Sequence, residues 1–335
     1  MRLSFFTVQD HYPGRPRSVP DLYAAVIRLA EHADVLGYDT FFSAEHHFHE
    51  YGVVPNPAVL LSALAQRTTR LRLGSAIATL PFHNPINVAE AYAMVDVLSG
   101  GRLVLGVGSG YLKHEFSGYG IDGAEKRERF DEGLAILRRL LAGERVTIQG
   151  RFSRLDDVVL NVRPMQSPVP IYVAVLNKDA LYHVGRQGNE VMCVPYASVD
   201  RLEDVRTMVE SYQRGRREAG LDPASTGLWT FHTHVAPTEE LCRREAEAAF
   251  NLYVETRLYA KRQTYDDILR SDLALFGSVE QVVDKLVRLH AMGIRHVVAL
   301  QNFGLMPQDR VRAAMALMTR EVMPRVKARL GKPAA

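Results

Sequence analysis

The sequence predicts a (β/α)8 barrel, an α/β fold, on three observations. Short β-branched or aromatic runs alternate with longer segments of helical period, which is the pattern of parallel strands joined by crossover helices. Eight such runs are present, the number that closes a barrel. Glycine punctuation falls where helices must stop: Gly37 after the first, Ser99-Gly100-Gly101 after the third and Gly293 before the last strand. Barrels of this kind often run to 335 residues as one unit, so residues 1–335 are expected to form one domain.

In chain order the predicted strands are Leu3–Thr7, Thr40–Ala44, Leu71–Ala76, Leu103–Val107, Ile171–Val175, Val191–Val194, Leu228–Val235 and His296–Leu300. Helices are predicted over Pro20–Leu36, Pro57–Arg67, Asn87–Leu98, Lys126–Leu141, Lys178–Gln187, Arg201–Ala219, Glu239–Tyr259 and Asp309–Leu330, with a further one over Val279–Met292. Residues 143–170 interrupt the rhythm with a strand-turn-strand, Arg145–Gln149 and Phe152–Leu160 around Gly150-Arg151, followed by Pro164, Pro168 and Pro170. This segment reads as an insertion. A second irregular stretch, residues 261–277, lies between the seventh and eighth strands and is expected to fold over the barrel mouth, since long connections on the carboxyl side of strands concentrate function. The tail, residues 331–335, is expected to be loose.

Composition excludes several classes. An apolar fraction of 47% supplies a substantial core, and a net charge of +3 with only short basic clusters argues against a nucleic-acid surface. Cys193 and Cys242, about fifty positions apart, form neither a disulfide framework nor a zinc spacing, which fits a reducing cytoplasm. The first residues run directly into a strand with no signal-peptide pattern. No apolar run approaches the roughly 20 residues of a membrane span.

In such a barrel the active site lies at the carboxyl ends of the strands. The second strand ends in Ala44-Glu45-His46-His47-Phe48-His49-Glu50-Tyr51-Gly52, two acids and three histidines on one loop. Imidazole titrates near neutrality, so this is the place for proton movement at working pH. His46 is expected to face the cavity. The loop also holds zinc or iron ligand types, but adjacent residues of an extended segment point in opposite directions and no helical His-x-x-x-His pair occurs, so no metal site is expected.

Gly106-Val107-Gly108-Ser109-Gly110 lacks the spacing and downstream acid of a dinucleotide fingerprint. Its glycines either let backbone approach a flat or phosphorylated ligand or simply form a tight turn. Asn177 and Lys178 begin a predicted helix, where amides and a lysine charge favour an anion, although a solvated first-turn lysine accounts for Lys178 as well. No Gly-x-Ser-x-Gly elbow precedes a helix, which disfavours serine hydrolase chemistry. Arg102 reads as structural.

These residues together resemble the bacterial luciferase family of flavin-dependent monooxygenases, in its α-subunit form. The resemblance rests on Glu45-His46-His47-Phe48 with Glu50 and Gly52, Gly74-Ser75-Ala76 with Leu80-Pro81 and Pro85, Ala89-Glu90, Leu98-Ser99-x-Gly101-Arg102, and Gly118 to Asp122. Phe276-Gly277-Ser278, Gly293-Ile294 and Glu321-Val322-Met323-Pro324 continue it to the end of the chain. Several motifs in one order are more specific than any one of them.

The resemblance implies a luciferase-like barrel that binds reduced FMN from a separate NAD(P)H:flavin reductase, uses O2 through a flavin 4a-hydroperoxide, and oxygenates a medium-sized apolar or aromatic substrate. His46 matches the family's catalytic histidine. Ala76-Ile77 falls where the family carries a non-prolyl cis peptide beneath the flavin. Phe6, Phe42, Tyr111 and Trp229 are expected on an apolar pocket wall. Where the luciferase α subunit has a reactive cysteine and a phosphate-binding arginine, this chain has Gly108 and Ser109, and a glutamate-serine pair after the fifth strand is here Val175-Leu176. Phosphate binding is therefore expected to fall to backbone amides, Ser109, Asn177 and Lys178. The segment before Phe276 is shorter than luciferase's mobile loop, so a non-luminescent relative is expected. The family's pairing face implies a homodimer through Ala58–Ala65 and Pro85–Val95. Alternative readings are a deazaflavin-dependent hydride-transfer enzyme on the same barrel, a non-catalytic flavin-binding protein, and a metal-dependent barrel hydrolase.

Overall fold

The computed structural model describes residues 1–49, 52–224, 227–256 and 263–331. Its strands, in chain order, are β1 (Arg2–Thr7), β2 (Thr40–Ser43), β3 (Arg72–Thr79), β4 (Leu103–Gly108), β5 (Val146–Gln149), β6 (Arg154–Val158), β7 (Ile171–Val175), β8 (Glu190–Cys193), β9 (Leu228–Ala236), β10 (Leu275–Ser278) and β11 (His296–Asn302). Eight of them close a parallel barrel in the order β1-β2-β3-β4-β7-β8-β9-β11, with β11 returning to β1. Both faces of such a sheet are covered, so its strands are buried along their length rather than on alternate residues. Every residue of β4, β9 and β11 is buried.

The strands fall within one to three residues of their predicted limits. The difference is β10, a ninth strand inside the stretch expected to be irregular. It pairs with the outer half of β9, Leu275 to Ser278 against Thr233 to Ala236, while β11 pairs with the inner half, Val297 to Leu300 against Trp229 to His232. Part of that stretch, residues 261 and 262, lies outside the described residues, as do residues 332–335 of the tail. The insertion forms an antiparallel hairpin of β5 and β6, apart from the barrel sheet.

Helix limits follow local chemistry. Ser18 caps the helix Val19–Leu36 by accepting from the Asp21 amide, and Gly37 ends it at φ 79°, a conformation that costs a side-chain-bearing residue energy. The long helix expected over Asp309–Leu330 is instead Gln308–Leu317 and Met323–Leu330, joined by a wider turn over Met318–Val322. Pro324 is the physical reason: it has no N–H to donate back to the preceding turn. After β7 the predicted helix begins as a tight turn, Lys178–Ala180, and continues as Leu181–Arg186. Arg102 is structural, donating to the carbonyls of Ala65, Thr68, Leu71 and Ser99 and so tying the chain before β3 to the start of β4. Among the described residues no helix is long and apolar enough to cross a membrane.

Candidate active site

A cavity of about 370 Å3 opens at the carboxyl ends of the strands, in the size range of small-molecule sites. Phe6 and Val8 line it from the end of β1, and His46 with Glu45 from the loop after β2. Ala76 and Ile77 come from β3, joined by a cis peptide bond, at the point where the pairing of β3 with β4 shifts register. Gly108 ends β4 and Ser109, Gly110 and Tyr111 follow it; Val175 ends β7 and Leu176 and Asn177 follow it. A side chain at Gly108 would run into the end of Ile77, so its absence leaves that part of the wall low.

Two expected wall positions and one expected phosphate ligand lie elsewhere. Phe42 fills the barrel interior against Gly74, whose missing side chain makes room for the ring. Trp229 is fully buried beside Thr230; Thr230 is the one that lines the cavity, and strand alternation turns its neighbour to the other face. Lys178 is carried by the tight turn into a neighbouring groove with Tyr182, His183 and Arg214, while Asn177 accepts from the Asp179 amide and stays on the cavity wall.

The histidines are held by two buried carboxylates. Oε1 of Glu115 stands 3.2 Å from Nδ1 of His46 and accepts from the His47 backbone N–H at 3.0 Å. An ionised carboxylate can only accept, so this contact places a proton on Nδ1 of His46. Gly52 packs against the same ring: a β-carbon there would lie 2.8 Å from Cδ2 of His46. Oε1 of Glu45 meets Nε2 of His47 at 3.2 Å and Nε2 of His83 at 2.9 Å, and accepts from the Thr79 amide at 3.2 Å. Burial pushes the Glu45 carboxyl up, but the bonds from His47 and His83 outweigh it and hold the group below the usual carboxylate range. Tyr119 completes the loop, with its hydroxyl 3.1 Å from Nδ1 of His47. Burial, then the charges of Glu45 and Glu115, raise that phenol, so it stays a donor.

Glu115 was not legible in the sequence: it sits on a six-residue helix, Lys113–Gly118, and meets His46 across 69 positions. His83 was missed for the same reason, and Thr230 because the phase of its buried strand is not legible. Lys126 and Arg127 also line the cavity, from the first turn of a predicted helix. Their place at a helix start, close after the Gly118 to Asp122 motif, was the available signal. The expectation of no metal-like grouping on this loop overlooked a residue from elsewhere: Glu45 and His47, two apart, meet His83. Glu50 lies outside the described residues.

A family model for luciferase-like monooxygenases matches residues 1–296. The solved structure of the monooxygenase RslO1 from Streptomyces bottropensis superposes with a TM-score of 0.89 at 29% identity, covering 97% of this chain and 99% of that one. The oxygenase component of flavin-dependent trigonelline monooxygenase from Acinetobacter baylyi is 24% identical over 97% of this chain and 95% of its own length. An F420-dependent glucose-6-phosphate dehydrogenase from Amycolatopsis mediterranei is 33% identical over 53% of this chain and 56% of its own.

Proposed function

Since the chain belongs to the luciferase-like monooxygenase family, we propose that it is the oxygenase component of a two-component, FMNH2-dependent monooxygenase. The observation that carries this reading is the His46 imidazole on the cavity wall, fixed by Glu115, in the same cavity as the Ala76-Ile77 backbone. O2 is the co-substrate, a separate NAD(P)H:flavin reductase supplies the reduced flavin, and the organic substrate is a medium-sized apolar or aromatic molecule. The relative from Acinetobacter, described as an oxygenase component, supports the separate reductase.

The residues present fit FMN. Ala76 and Ile77 with the low wall at Gly108 suit a flat ring system, Val175, Leu176 and Tyr111 enclose it, and Ser109, Asn177, Lys126 and Arg127 suit a phosphate. Lys126 and Arg127 thus take the part expected of Lys178. When bound, reduced FMN supplies the electrons that activate O2. His46 takes or returns a proton at Nε2, Glu115 fixes its tautomer and steadies the charged ring, and Phe6, Val8 and Val175 exclude water.

Two features support the wider setting. Val59, Met94, Val97 and Leu98 are exposed apolar side chains on the helices Pro57–Ala65 and Pro85–Leu98, which favours a homodimer through that face. Both cysteines are buried free thiols, in keeping with a cytoplasmic enzyme.

The test is anaerobic loading with FMNH2 followed by an oxygen pulse, with flavin absorbance followed and products analysed from a panel of monoterpenes, cyclic ketones and aromatic heterocycles. Flavin that reoxidises as fast as free FMNH2, with no oxygenated product, overturns the reading. The dehydrogenase match favours a second reading, hydride transfer with a deazaflavin. Tighter binding of reduced F420 than of FMNH2 would establish it. Protection of FMNH2 without any turnover would leave a flavin-binding protein.

A further inference from the structure

We propose that Glu45, His47 and His83 form a binding site for a divalent first-row transition metal ion, with Zn2+ the best fit. One ligand atom from each of the three lies within 4.8 Å of the others. The carboxylate oxygen stands 3.2 Å from one nitrogen and 2.9 Å from the other. Donor atoms around a tetrahedral ion, with bonds of about 2.0–2.2 Å, stand roughly 3.4 Å apart. Shifts of a few tenths of an ångström in the Glu45 contacts, and an approach of the two rings, therefore open the centre to an ion.

The donor set is selective. Two imidazoles and one carboxylate suit zinc and its neighbours, whereas Mg2+ and Ca2+ take oxygen ligands. Three protein ligands leave a fourth position for water. The carboxylate brings one negative charge and keeps the Thr79 amide as an outer partner.

Tyr119 makes the histidine ready for either state. Without an ion, Nε2–H of His47 donates to Glu45 and the phenol donates to Nδ1. With an ion on Nε2, the ring proton sits on Nδ1 and the same phenol oxygen accepts it, since a hydroxyl serves both roles. Entry is from the His83 side, whose side chain is 28% exposed against 3% for Glu45. Glu45 and His47 flank His46, so an ion there locks the loop that carries it. The site does not depend on the flavin reading.

Chelator-treated, flavin-free full chain is titrated with Co2+, followed by its visible absorption, and then with Zn2+ in competition. One Co2+ per chain, displaced by Zn2+, is expected. His83→Asn and Glu45→Gln should weaken binding at least about 100-fold, and Tyr119→Phe about 10–100-fold, as loss of an outer partner does. His49→Asn, on the same loop, should leave it unchanged. Absence of Co2+ binding, or binding that survives His83→Asn in a chain with unchanged circular dichroism, overturns the proposal. If Glu45→Gln does not fold, the half-buried His83 position alone decides.

Discussion

Replacing Glu115 by glutamine removes its charge and keeps its shape. The carboxylate, 4% exposed, accepts from His46 at 3.2 Å and from the His47 amide at 3.0 Å through one oxygen. A glutamine oxygen retains both bonds as a neutral acceptor. A hydrogen bond to a charged group contributes about 1.5–3 kcal/mol against about 0.5–1.5 between neutral ones, so between the midpoints about 1.25 kcal/mol is lost from the hold on the imidazole. If that hold matters most when the ring is charged, turnover falls about tenfold. Alanine acts differently, leaving the buried His47 amide without this partner at a cost of about 1–3 kcal/mol in stability. Urea unfolding, FMN fluorescence quenching and product yield after the oxygen pulse separate the two. For Glu115→Gln the expected result is stability within about 1 kcal/mol of the parent, FMN affinity within about threefold and the tenfold loss in product rate. Wild-type turnover in Glu115→Gln, or a loss that only tracks unfolding in both variants, refutes the positioning role.

Further consequences can be measured on the same preparations. His46→Ala should cut oxygenation by about 10²–10⁴ while FMN affinity stays within a few-fold, and unchanged product formation would remove His46 from proton transfer. Gly52→Ala pushes a β-carbon against Cδ2 of His46 at 2.8 Å; a displacement approaching 1 Å costs up to about 100-fold in turnover, with the thermal midpoint little changed. The double variant Lys126→Ala/Arg127→Ala should weaken FMN about tenfold or more and riboflavin hardly at all, and equal losses for the two ligands would place the phosphate elsewhere. Asp34 accepts from the amides of Thr69, Arg70 and Leu71. Burial pushes its carboxyl up, but these amides win and hold it below the usual range, so its contribution is present at neutral pH and lost as pH falls through its folded value. Asp34→Asn should therefore cost about 1–3 kcal/mol at neutral pH, with the gap to the parent closing in acid; a gap constant with pH would contradict this.

What was legible in the sequence is what depends on local pattern. Barrel strands buried on both faces, such as Leu103–Gly108, announce themselves as apolar runs between turn residues, and Gly37 marks the end of the first helix. The loop with His46, and the glycines beside Ile77, stood out because residue types of that chemistry are rarely placed together. Contacts between distant segments were not legible. Nothing near Glu115 or His83 in the chain points to the histidine loop, and the phase of a buried strand cannot tell Trp229 from Thr230 when both neighbours are apolar or small. β10 escaped because four residues containing Gly277 carry little strand signal; its pairing comes from β9, not from its own composition.

The split pairing of β9 separates two tasks that a barrel strand usually performs together. Its inner residues are committed to ring closure, while Thr233 to Ala236 serve an appended strand at the rim. Changes in the connection that carries Leu275–Ser278 can thus be absorbed at the rim without unpicking the wall. Outer-half pairing is therefore the part of β9 that can be lost while the ring of eight strands stays closed.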